Sequence, residues 1–426
     1  MSKIKYIVLI VGVLSGCVLT KDVSTPAAQY SALYNPSEFS LNAEYRFYHL
    51  SDNMTSLYIR LFPGELLFNQ ANEEAEYRAM VAINYTIYEL DEAGAIVAMS
   101  DSAGFTLKLG RKDQERSAYF STRVLLINAG KQYMIRLESR DMHRGILGLK
   151  HLYIDKTNAL SAQNFSVVSA LTGYPRFLNY ISPGEVFSLK YRLPGYDTIF
   201  LDFFKPEHET PRPRVTLDAP SYFNIEPDTT IALAYSDTTI FTLPEQGMYH
   251  FRLDSVSRAG ITLHNFGVDY PQVKSERGLM EPLFYIATET EYRNMERAAN
   301  LKRAVDDFWL NRSDTRDRSR ELIRVYYNRV LYSNLYFTAD REGWKTDRGM
   351  VFMLFGPPDR MKDSGSEQRW YYISRRQGKV IEFVFDRKQG IYSNHDLTWR
   401  KNMETMQYWS AAVSSWRSGK VYSLSR

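Results

Sequence analysis

The sequence predicts a multidomain, mainly β protein: two tandem immunoglobulin-like β-sandwiches, then an α+β domain made of a helical hairpin and a small antiparallel sheet. Three observations carry that prediction. Apolar and polar residues alternate from about residue 42, one strand pattern recurs at an offset of 116 residues, and helical spacing replaces alternation near residue 283. At 426 residues the chain is also roughly two to three times the usual single-domain length, so more than one core is expected.

The first sandwich is assigned to residues 42–157. Tyr45 and Phe47, then Leu57, Ile59 and Leu61, then Val81, Ile83, Tyr85 and Ile87 recur at every second position, the mark of half-buried strands. Asp91-Glu-Ala-Gly94 is a turn between two such runs, and further strands are expected near 118–128 and 132–139. The second sandwich is assigned to 160–273, where Phe187, Leu189, Tyr191 and Leu193 alternate with Ser188, Lys190 and Arg192. The run from Tyr133 to Ser139 (YMIRLES) matches the run from Tyr249 to Ser255 (YHFRLDS). Each has a glycine just upstream, Gly130 and Gly247, and a Gly-Ile pair downstream, Gly145-Ile146 and Gly260-Ile261. An offset of 116 residues is the size of one immunoglobulin-like unit.

The third domain is assigned to 283–400. Thr288 with Glu291 has the spacing of a capping box, and Tyr292, Met295, Ala299, Val305, Phe308 and Trp309 follow at helical intervals. A second helix carries Leu322, Val325, Tyr326, Val330 and Phe337, after a polar connection at 311–317. Three strands are then expected, at Met350–Phe355, Trp370–Ile373 and Val380–Phe385. A C-terminal segment, 401–426, places Met403, Met406, Trp409, Val413 and Trp416 at steps of three and four, an amphipathic stripe that packs on its own domain or, as the sharper alternative, docks a partner.

Composition excludes one class of function. The 53 basic and 49 acidic residues leave a net charge of only +4, too even a balance for a nucleic-acid protein. Lys3 and Lys5 precede the apolar run Tyr6–Val13, too short for a spanning helix and right for a signal-peptide core. The run leads into Leu14-Ser15-Gly16-Cys17, which resembles the bacterial lipobox. That resemblance implies a lipoprotein signal peptide at 1–16, cleavage, and acylation of Cys17. Cys17 is the sole cysteine, so disulfides, thiolate metal sites and cysteine nucleophiles are absent. Each buried acyl methylene contributes about 0.8 kcal/mol, so a few chains hold a soluble body on a membrane. Residues 17–41 read as a flexible tether, with a random-coil reach of about 25–30 Å. By the same resemblance, Val18 is not the aspartate that retains lipoproteins at the inner membrane, which points to the outer membrane. Asp22 stands alone beside Lys21 rather than in an acidic export cluster, which favours the periplasmic face over the cell surface.

Arg341-Glu-Gly343-Trp344-Lys-Thr346-Asp347-Arg348-Gly349, followed by Gly356-Pro-Pro-Asp359, resembles the signature of the GWxTD-domain family of bacterial envelope proteins. Phe308-Trp309, Tyr326-Tyr-Asn-Arg329, Phe337, Trp370-Tyr-Tyr372 and Phe383-Val-Phe-Asp386 also fall where that pattern places them. The resemblance implies a fold and an envelope setting and no catalytic activity. Two readings of the signature stay open. Its glycines and polar residues serve a tight turn that Trp344 plugs onto the helices, or Trp344, Asp347 and Arg348, with Trp409 and Trp416 of the C-terminal stripe, form a recognition surface.

Little points to a reaction. The histidines at 49, 143, 151, 208, 250, 264 and 395 make no close ligand pair, so no metal is expected, and Glu207-His208-Glu209 reads as a solvated loop. Nucleophile-elbow, Walker and dinucleotide motifs are missing from the sequence. Glu382 and Asp386 lie about 13 Å apart if on one strand, too far for a glycosidase pair, and are expected to pair with Arg or Lys. The expectation is therefore a lipid-anchored, non-enzymatic binding or scaffold component of an outer-membrane assembly, with an envelope protein as partner and no cofactor beyond the lipid on Cys17. A glycan- or peptide-binding surface module is the alternative, and a hydrolase with a composite site the third.

Overall fold

The computed structural model describes residues 41–70, 76–206, 226–374, 378–387, 392–393 and 396–424. The signal peptide, Cys17, the tether up to residue 40, the loop with His208, and His395 lie outside the described residues.

The first sandwich is built from β1 (Glu44–His49), β2 (Met54–Leu61), β3 (Arg78–Leu90), β4 (Ile96–Gly110), β5 (Tyr119–Leu126), β6 (Gln132–Asp141) and β7 (Leu147–Asp155). They form two antiparallel sheets, β1-β2-β5 and β4-β3-β6-β7. Alternation sets the faces: Tyr45 and Phe47, Leu57, Ile59 and Leu61, and Ile83, Leu107, Ile135 and Leu137 bury one side of each strand in a shared core. Each such side chain contributes about 1.5–3 kcal/mol of burial before entropy is counted. The β3–β4 turn is the one read from Asp91–Gly94. Gly94 takes a φ of 79° that closes it, and the Asp91 carboxylate accepts from the Ala95 amide at 2.8 Å.

The second sandwich uses β8 (Phe165–Ser169), β9 (Val186–Tyr191), β10 (Thr198–Phe204), β11 (Thr229–Ala234), β12 (Ile240–Thr242), β13 (Gly247–Arg252) and β14 (Ile261–Asn265), in sheets β8-β9-β12 and β11-β10-β13-β14. Strand for strand this is the order of the first sandwich. The matched motifs fall on equivalent strands, β6 and β13, and both tyrosines make the same corner. The Tyr133 hydroxyl donates to the Asn128 carbonyl at 3.1 Å, and the Tyr249 hydroxyl to the Glu245 carbonyl at 2.9 Å.

The third domain begins with α1 (Glu276–Met280), α2 (Glu289–Glu296), α3 (Leu301–Leu310), α4 (Arg316–Phe337) and α5 (Asp347–Phe355). An antiparallel sheet of β15 (Arg360–Asp363), β16 (Glu367–Ser374), β17 (Lys379–Arg387) and β18 (Leu397–Trp399) follows, and α6 (Met403–Arg417) closes the domain. Thr288 and Glu291 form the expected capping box on α2. The same carboxylate reaches Arg312 at 2.8 Å and Arg417 at 2.6 Å, which latches α6 to the start of α2.

Two expectations change. The single helix read from Tyr292 to Trp309 is two, because Asn300 accepts from the Arg303 amide at 2.8 Å and starts a new helix. Met350–Phe355, expected as a strand, is helical. An unbroken apolar run carries no period, and the Thr346 cap on the Gly349 amide decides for helix. The 401–426 segment takes the first of its two readings: Trp409, Ala412 and Trp416 are part of the third domain's core.

Candidate functional site

Gly343 is forced by contact. A Cβ there would lie 1.8 Å from the Ser333 carbonyl oxygen, so the short 3-10 turn at 343–345 rests with bare backbone on α4. Gly349 is equally tight, since a Cβ at that position would lie 1.8 Å from the Gly343 oxygen. Thr346 ties the turn to the helix it starts: its hydroxyl donates to the Gly343 carbonyl at 2.7 Å and accepts from the Gly349 amide at 3.1 Å. Asp347 accepts from the Trp399 amide at 2.9 Å and so joins α5 to β18.

The side chains expected as a recognition surface are interior. Trp344, Asp347 and Arg348 are each 3% exposed, Trp409 is 6% exposed and Trp416 is fully buried. The Trp344 backbone amide donates to the Asn334 side-chain oxygen at 3.3 Å, and its carbonyl accepts from the Tyr285 hydroxyl at 3.0 Å. Trp416 donates to the Leu354 carbonyl at 3.1 Å, and Trp409 packs against Trp399 and Tyr285. The correction has a simple cause: the stripe packs onto α5, β17 and Tyr285, and the turn packs onto α4, α5 and the same Tyr285, so the chain itself covers both.

Instead of facing solvent, the signature faces the neighbouring domains. Asn334 and Thr338, on the last turn of α4 and just past it, bind the turn on one side and the Tyr270-Pro271 segment leaving the second sandwich on the other. Tyr270 donates to Thr338 Oγ1 at 3.0 Å, and the Asn334 amide donates to the Pro271 carbonyl at 2.9 Å. From Arg348 a buried polar chain runs the other way. Its guanidinium reaches Gln368 at 3.5 Å, and the Gln368 amide donates to Asp363 at 3.1 Å. Asp363 lies 3.6 Å from His151 of β7 and 3.5 Å from Arg387, whose guanidinium stacks 3.9 Å above the Tyr153 ring. Burial alone would raise the Asp363 carboxyl. His151, Arg387 and the Gly365 amide outweigh burial and hold it far below the usual carboxylate range. A carboxylate held that low exchanges no proton near neutral pH, so the chain reads as a joint.

The joint borders a cavity of about 350 Å³ to which all three domains contribute, with Arg46 and Lys150 from the first sandwich, Asn179 and His264 from the second, and Tyr270 and Tyr336 beside the third. Sequence reasoning missed this site. Arg46 sits at a position that alternation marks as outward, whereas Lys150 shares the inward parity of Leu152 and Ile154 on the edge strand β7, and nothing local says that other domains reach either of them. Elsewhere the polar assignments hold: Glu382 pairs with Arg369 at 2.9 Å, and Asp386 with Arg400. His250 is a satisfied core histidine, bonded to Thr262 and to the Arg258 carbonyl, each at 2.9 Å.

Residues 247–418 match the family model described as the GWxTD domain. The match starts with the first residue of β13 and runs through α6, so it takes in the last hairpin of the second sandwich as well as the third domain. The chain is thus a GWxTD-domain-containing protein. No curated protein matches it.

Proposed function

We propose that this GWxTD-domain protein is a lipid-anchored, non-enzymatic binding or scaffold component of a bacterial outer-membrane assembly, held by acyl chains on Cys17 at the periplasmic face. The observation that carries the reading is the use of the signature: its residues form the third domain's core and its joints to both sandwiches, which makes the three domains a stiff series. A stiff body on a lipid tether works by presentation. Confinement to the membrane surface raises its effective concentration near membrane partners, and a rigid series holds its faces at fixed spacing. Exposed apolar side chains on the edge strands β4 and β5, Met99 at 60% and Leu126 at 77%, support a role in contact with other proteins.

The test is affinity purification of tagged protein from gently solubilised envelopes, wild type beside Cys17→Ser, with co-purifying proteins quantified by mass spectrometry. The expected result is one envelope protein in near-equal amount, resistant to salt and lost with the lipid. Recovery of the wild-type protein alone would sink the stable-assembly reading. The alternative of a glycan- or peptide-binding module draws support from the tyrosines that line the junction cavity.

A further inference from the structure

We propose that the cavity at the junction of the three domains binds a small organic anion, a carboxylate or phosphate monoester, with Arg46 and Lys150 supplying the positive charge and tyrosine rings holding the uncharged part. The proposal goes beyond the scaffold reading and depends on neither the lipid nor a protein partner.

The charge balance of the walls comes first. The cavity is lined by four cations, Arg46, Lys150, Arg348 and Arg387, against two carboxylates, Glu44 and Asp363. Both carboxylates are engaged elsewhere: Glu44 bridges to Arg60, and Asp363 lies between His151 and Arg387. Arg46 is held by a neutral acceptor, the Asn179 side-chain oxygen, at 2.5 Å. Lys150 approaches only the face of Tyr336, with its nitrogen 5.8 Å from the ring centroid. Among the described residues neither cation has an ion-pair partner.

Both also lie deep. Burial pulls Arg46 down to about 10 and lowers Lys150 as well, where the charge of Glu44 acts against it. Removing a charge from water without a counter-charge costs stability, and an entering anion offsets that cost. The space suits such a guest, because a volume near 350 Å³ lies in the range of small-molecule sites, which favour domain boundaries. The walls fix its character. Tyr180, Tyr270 and Tyr336 offer ring faces with polar tips, and the Tyr270 hydroxyl is already spent on Asn334 and Thr338. The guest therefore carries its charge at one end and a flat or apolar body at the other.

The test uses the full-length protein with phenyl phosphate and phenylacetate as anionic probes and benzyl alcohol as the neutral control. Binding is followed by titration calorimetry and thermal unfolding at fixed ionic strength, for wild type, Arg46→Gln, Lys150→Met and Lys150→Arg. An anionic probe is expected to saturate at one per chain while benzyl alcohol does not, and the tighter of the two probes tells carboxylate from phosphate. Arg46→Gln and Lys150→Met should each weaken binding about tenfold or more, with Lys150→Arg close to wild type. Without probe, Lys150→Met should unfold at or above the wild-type temperature, since it removes an uncompensated charge. Three outcomes overturn the proposal: no saturation by either anion at millimolar concentration, equal binding of benzyl alcohol, or a Lys150→Met variant that loses thermal stability as a structural cation would.

Discussion

The two sandwiches share strand order and tyrosine corner, yet the outer faces of their matching sheets are chemically opposite. In the first, register aligns Tyr88, Met134 and Tyr153 across β3, β6 and β7, and with Leu90 and Ile96 they make a small apolar cluster of their own. In the second, the same three places across β10, β13 and β14 hold Asp202, His250 and Thr262. The third domain reaches both faces. The turn around Gly365 meets the first, where a Cβ would lie 2.3 Å from the Gly94 oxygen, and the Tyr392 ring sits 5.0 Å from His250 on the second. One fold thus carries a joint built round an apolar cluster, with the Asp363–Arg387 pair at its Tyr153 edge, and a joint that is polar at the matching places. Inward residues specify the sandwich, and outward residues specify how it is joined.

Removing one group from each joint gives the largest expected effects. Asp202 bonds the Arg252 guanidinium at 2.7 Å and the Thr230 hydroxyl at 2.6 Å, and it is 5% exposed. Asp202→Ala leaves the partly buried Arg252 guanidinium without its carboxylate and should cost about 3–5 kcal/mol in denaturant unfolding. Met134→Ala opens a cavity in the apolar cluster of the first joint, where Met134 is fully buried, and should cost about 2–4 kcal/mol. The comparison fails if Asp202→Ala costs less than Met134→Ala.

The joints should also differ in pH response. Burial, opposed by the Arg258 carbonyl and Asp202, lowers His250 to about 4, so the native state keeps it neutral where the unfolded chain gains a proton. Stability is therefore full above the unfolded histidine value of about 6.5 and falls as pH drops towards 4. That single group should cost about 2 kcal/mol between pH 7 and pH 5. Asp202 is lowered as well: burial would raise it, but its bonds to Arg252 and Thr230 outweigh burial, so its contribution is lost at lower pH, as pH falls below the unfolded carboxylate range. His49 and His264, also lowered to about 4 by burial, titrate in both proteins and cancel in the difference. His250→Gln should thus flatten the stability profile over pH 5–7 by about 2 kcal/mol, and an unchanged slope would remove His250 from the account.

The same contrast marks what the sequence could reveal. Alternation, the Tyr133 and Tyr249 repeats, the Thr288 cap and the tight turn at Gly343 are encoded within a few residues, and all are legible. Met134 and His250 occupy outward positions whose burial depends on segments more than a hundred residues away. Alternation marks such positions as facing out and cannot say what meets them. For Trp344, Trp409 and Trp416 the interior placement is one of two readings, and the choice between them is not legible, since an amphipathic face shows that something covers it but not whether the cover is a partner or the chain itself. The cavity at Arg46 and Lys150 has no local signature at all, being made where three domains meet.

The smallest expected effect asks whether the repeat is energetic as well as topological. Tyr133 and Tyr249 each spend their hydroxyl on a backbone carbonyl just upstream while the ring is buried in the core. Replacing either tyrosine by Phe keeps the ring and removes one hydrogen bond, so each substitution should cost about 0.5–1.5 kcal/mol. The Tyr249 corner has a second strand to it, because its oxygen also accepts from the Glu245 amide at 3.0 Å. Tyr249→Phe leaves both an acceptor and a donor without their partner, whereas Tyr133→Phe leaves only the Asn128 carbonyl. The second sandwich should therefore lose more than the first, and equal losses would mean that solvent takes over the Glu245 amide at no cost.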